Sequence, residues 1–92
     1  MSELFEIKIG EQIFKARKLS GYRLLKTIGR ENIDAADMYR DLILACVEEP
    51  MFTRKEVEDL DPETFLKLGL ELVKMHQGDI QDFRELIDSE RK

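Results

Sequence analysis

Few side chains in this sequence are placed for chemistry, and each has a plainer use. His76 is the sole histidine and Cys46 the sole cysteine. With no second histidine and no cysteine pair, the chain lacks the donors from which zinc sites are usually built, and no transition-metal centre is expected. Near the end of a helical segment, His76 is expected to interact with the helix dipole or to stand in solvent. Nucleophilic catalysis needs a base within reach of a thiol or hydroxyl. Cys46 lies instead in the run LILACV, where apolar neighbours disfavour a thiolate. The paired acids Glu48-Glu49 and Asp59 with Asp61 fall at helix ends and connections. Capping and solvation account for them. They also lack the alternating spacing and the glycine of a calcium loop. Asp88-Ser89 looks superficially like a carrier-protein attachment serine, but Glu90 follows and no clear helix does. The chain is therefore expected to have no catalytic residues, no metal and no cofactor.

Two other groups of residues could recognise a partner. The basic run Lys15, Arg17, Lys18 and Arg23, with Tyr22 beside it, could track phosphates, since Lys15 and Arg17 fall on one face of a strand. No glycine-rich loop or recognition-helix pattern accompanies it. Residues 1–30 hold seven Lys/Arg against three Glu, a net of +4, while residues 31–92 carry a net of -9. The overall charge of -5 opposes nonspecific attraction to nucleic acid. The second group is apolar. Met51 and Phe52 follow Pro50 in a connection, and Ile80, Phe83 and Ile87 stripe a terminal helix. Such residues either close the domain's own core or receive a partner helix.

The elements that must hold these residues follow from period and punctuation. Ninety-two residues, 42% apolar and 38% charged, form one domain near the lower size limit of a single core. Self-association would help to stabilise it. In LFEIKI, Phe5, Ile7 and Ile9 alternate with Glu6 and Lys8, the period of a half-buried strand. Gly10-Glu11 interrupts before QIFKARKL, so residues 1–19 read as a β-hairpin that must lie on helices.

Residues 20–78 read as a helical core. Ser20 caps a helix through Leu24, Leu25 and Ile28, ending near Gly29. Asp34 caps the next, in which Met38, Leu42 and Ala45 form a stripe flanked by Tyr39, Ile43, Cys46 and Val47. From Leu42 to Val47 it is apolar on nearly every side and should be central, until Pro50 stops it. Thr53 and Glu56 match a capping box, with Val57 and Leu60 facing inward. Asp61-Pro62-Glu63 is a strong helix start. Phe65, Leu68, Leu72 and Met75 follow as one stripe, and Leu66, Leu70 and Val73 as another. Gly78 closes that helix, and residues 79–92 read as a C-terminal helix and tail opened by Asp79. The expected fold is mainly α within the α+β class: an N-terminal β-hairpin packed on a small bundle of four to five helices. The helices from Asp34 and Pro62 form its central pair. The early, even charge of MSELFEIKIG does not suit a signal peptide, no run approaches a membrane span, and a lone thiol fits a reducing compartment. The cytoplasm is the expected location.

The order of these segments resembles a known family. A glycine-turned hairpin precedes a basic stretch, a central helix ending in ACVEEP, a short TRKEVEDL helix, and PETFLKLGLELVKM. From Phe5 to Gly78 this is similar to the small tail assembly chaperones of long-tailed bacteriophages and prophages. The resemblance implies a non-catalytic protein of virion morphogenesis in the host cytoplasm, absent from the finished virion. Its implied partners are the long, helical tape measure protein and the tail tube protein, and a homo-oligomer is compatible with it. In many such phages a ribosomal frameshift yields a longer form. Two alternatives stand beside it. One is a structural head–tail connector or completion protein. The other is a small regulator that binds nucleic acid or a partner through the basic N-terminal segment.

Overall fold

The computed structural model describes residues 4–29 and 32–77. It is a small α+β fold with strands β1 (Leu4–Ile9), β2 (Gln12–Arg17) and β3 (Val47–Glu49) and helices α1 (Gly21–Ile28), α2 (Ala35–Cys46), α3 (Arg54–Glu58) and α4 (Pro62–Met75). The antiparallel sheet has the order β1-β2-β3. Four helices lie among the described residues. The fifth expected helix, from Asp79, lies outside them.

The hairpin forms as its alternation predicts. Gly10 takes φ +60° at the first central position of the two-residue turn, a conformation that glycine adopts without a Cβ penalty. Ile7 pairs with Phe14, and both are buried with Ile9 and Ala16 beneath the sheet. Phe5 shares their face but lies at the strand's end and is 42% exposed. A third strand joins this hairpin. The helix expected to run through Val47 ends at Cys46, and residues 47–49 pair with β2 instead. The local reason is the β-branched Val47, together with Pro50, which biases Glu49 toward extended backbone. Bending the chain there places Glu48 and Glu49 on a sheet rather than at a helix end.

The helix starts follow their capping residues. Ser20 accepts from Arg23 N–H, Asp34 from Asp37 N–H, and Asp61 from Thr64 N–H. Thr53 and Glu56 form both halves of a capping box. Helices α2 and α4 pack together as the central pair, and Leu42, Ile43, Leu68 and Leu72 are wholly buried between them and the sheet. Their close approach depends on Gly69. A Cβ there would collide with the ring of Tyr39, which itself lies 6.0 Å from the ring of Phe65. The second apolar stripe of α4 behaves differently: Leu66 and Leu70 are exposed, and only Val73 turns inward in part.

Candidate functional site

Cys46 is fully buried at the end of α2, and burial pushes its thiol up to about 12. That is the opposite of an activated nucleophile, which needs a lowered pKa. Asp61 is held below the ordinary aspartate value by the hydrogen bond from Thr64. This acid is a helix cap. Arg40 joins Asp37, Asp41 and Glu58 at 3.1, 3.1 and 3.4 Å and ties α2 to α3. The hydrogen bond and charge of Asp41 lead in raising its pKa, with Asp37 and Glu58 adding to the effect. Among the described residues no three His, Cys, Asp or Glu side chains gather as a metal site. No described helix is long and apolar enough to cross a membrane.

His76 departs most from expectation. It is neither exposed nor merely set against a helix dipole: its ring is fully buried. Nε2 accepts the Leu19 N–H at 2.9 Å, so the ring proton sits on Nδ1 and is donated to the Leu72 carbonyl at 2.8 Å. The histidine thus fastens the C-terminus of α4 to the connection between β2 and α1. No local signal could reveal a partner 57 residues away in sequence.

The basic candidates are also placed differently from a phosphate track. Lys15 and Arg17 do share a face of β2, but β3 brings acids against them. Lys15 lies 3.6 Å from Glu49, and Arg17 reaches Glu48 through Nε at 3.1 Å and Nη2 at 2.8 Å. Arg17, Lys18 and Arg23 line one depression together with Glu48. Lys18 and Arg23 are exposed there. The carboxylates divide the positive field that the sequence alone suggested, and without foreknowledge of β3 this neutralisation is invisible.

Of the apolar candidates, Met51 is 83% exposed in the connection after β3. Phe52 is half-buried, its ring 6.1 Å from that of Phe14 on the sheet's inner face. Phe52 therefore anchors the connection to the core while its neighbour projects. Ile80, Phe83 and Ile87 lie outside the described residues. Other apolar side chains are exposed as well: Leu66 and Leu70 on α4, and Leu4 and Phe5 on opposite faces of β1, are each more than 40% exposed. Comparison with known proteins found no matching family model, no matching curated protein and no matching solved structure.

Proposed function

We propose that this is a non-catalytic binding protein that engages an apolar helical segment of a partner, as a small tail assembly chaperone would engage a tape measure protein. The observation that carries the proposal is Met51, 83% exposed beside an anchored Phe52. An unbranched, polarisable side chain held out from a fixed loop suits an adaptable helix-binding surface. Ile80, Phe83 and Ile87 remain candidates for partner contact on their sequence pattern alone. Masking of an aggregation-prone partner and help in recruiting tail tube subunits follow from the same resemblance, as does a place in the host cytoplasm.

Coexpression of the full chain with a phage tape measure segment tests this. Met51→Asp should leave helicity and melting temperature near wild type and lose the ability to keep the segment soluble. If Met51→Asp is folded and still keeps the segment soluble, the proposed surface is wrong. Phe52→Asp is the less informative variant, because its ring packs on Phe14.

A further inference from the structure

The two edges of the sheet are not alike. On one side β3 is only three residues long, is followed directly by Pro50, and meets β2 through a register shift between Lys15 and Ala16. Short strands, irregular pairing and proline are the usual means of blocking further strand addition. On the other side β1 offers six residues of regular strand with neither proline nor bulge. Among the described residues nothing pairs with its outer edge. A groove separates this edge from α4, bounded by residues 6–9 and by Leu70. The exposed Leu4, Phe5 and Leu66 lie on these same two elements.

The backbone decides which residues present bonding groups to that edge. A two-residue hairpin closes on a pair that exchanges both hydrogen bonds, here Ile9 with Gln12, and such pairs alternate along the ladder. Phe5, Ile7 and Ile9 therefore spend their N–H and C=O groups on β2. Leu4, Glu6 and Lys8 direct theirs outward. A second β1 laid antiparallel against this edge must match outward-bonding residues with outward-bonding residues. Four registers, centred on Phe5, Glu6, Ile7 or Lys8, satisfy that. Those centred on Glu6 and Lys8 set like charge against like, and the one on Phe5 sets Leu4 against Glu6 and pairs no opposite charges. The register centred on Ile7 sets Glu6 against Lys8 of the other copy, twice. It also brings Ile7 to Ile7 and Phe5 to Ile9 on the helix-facing side.

We propose that β1 pairs with β1 of a second copy of this chain about a two-fold axis at Ile7, forming a continuous six-stranded sheet. The charge pattern of the strand is self-complementary in that register alone, and like charges directly opposite are destabilising. Glu6 and Lys8 make no ion pair among the described residues of a single copy, so both are available for this cross-strand pairing. The interface is isologous and closed, so it stops at two copies. Leu70, which lines the groove beside that edge, then lies next to the seam in each copy. This surface is separate from Met51 and Phe52, and its test does not depend on partner binding.

Sedimentation equilibrium of the full chain over a range of concentrations is the experiment. Wild type should dimerise. Glu6→Lys and Lys8→Glu each place like charges opposite one another, and each should weaken the dimer by roughly tenfold or more. Both side chains are exposed, and Lys8 faces Ile13 of β2, so Lys8→Glu should leave circular dichroism unchanged; Glu6→Lys also sets a lysine opposite Lys15 and is read only where circular dichroism shows it folded. The two single variants mixed together regain opposite charges at every cross-strand pair. With one isotope-labelled, native mass spectrometry should detect a mixed dimer favoured over either homodimer. The double swap Glu6→Lys/Lys8→Glu should restore self-pairing. The proposal is overturned by a wild type that stays monomeric, by assemblies larger than two, by dimerisation indifferent to the reversals, or by folded single variants that fail to pair when mixed.

Discussion

Helix α4 carries two apolar faces of nearly equal composition and opposite fate. Leu68 and Leu72 are wholly buried against α2 and the sheet, while Leu66 is 57% and Leu70 43% exposed. Gly69 lies between them and lets the Tyr39 ring of α2 press onto the helix backbone. One face is therefore committed to folding before any partner arrives. The other keeps the same residue type exposed, beside the edge of β1 that no strand pairs with among the described residues. Burial, not composition, separates a core residue from an interface residue.

The sharpest way to break that contrast is the same substitution on both faces. Leu68→Ala should destabilise the fold by about 2–5 kcal/mol, through lost transfer energy and the cavity left behind. Leu66→Ala should change it by no more than about 0.5 kcal/mol, since an exposed helix position loses little burial and gains a good helix former. Urea unfolding at low protein concentration measures both. Comparable losses for the two variants would mean that the second stripe is core after all.

The next effect is smaller and concerns how α4 is held at its end. His76→Phe keeps an aromatic ring in the buried site and removes both hydrogen bonds. It leaves the Leu19 N–H and one Leu72 carbonyl lone pair without their partner. The expected cost is about 1–3 kcal/mol, again by urea unfolding. A variant as stable as wild type would show that ring packing, not the hydrogen-bonded link to Leu19, secures the helix terminus.

Much of the fold was legible because its signals are local. Ser20, Asp34, Thr53 and Asp61 each cap the helix that their position announces, since a cap bonds within three residues of itself. The hairpin was legible for the same reason: Gly10 supplies the turn and strict alternation supplies the face. What was hidden depends on long-range pairing. Residues 47–49 carry too few positions to display a strand period, and their partner β2 lies some thirty residues earlier. Missing β3 left Lys15 and Arg17 looking like an open positive face. His76 failed for the same reason, with its decisive partner at Leu19. The two stripes of α4 were legible as apolar, but nothing in the spacing said which would be covered.

Cys46 marks the interior end of the comparison, and its chemistry gives the last test. The thiol is fully buried, and desolvation raises it from an ordinary 9.0 to about 12. An acid whose folded pKa is raised favours the folded state while it stays protonated. That contribution is complete below pH 9.0, where the thiol is neutral in both states. Above it the unfolded chain releases its proton and the folded chain does not, so stability falls with rising pH until about 12. The slope is about 1.4 kcal/mol per pH unit for one such group, so near pH 10 the loss is on the order of 1 kcal/mol. Cys46→Ala should remove that part of the alkaline decline, whatever it costs in packing at neutral pH. A thiol reagent should accordingly label wild-type Cys46 slowly when native and rapidly in denaturant. Native labelling at the denatured rate, or an alkaline decline identical in Cys46→Ala, would place this residue on an accessible face of α2 and move the boundary between core and surface inward.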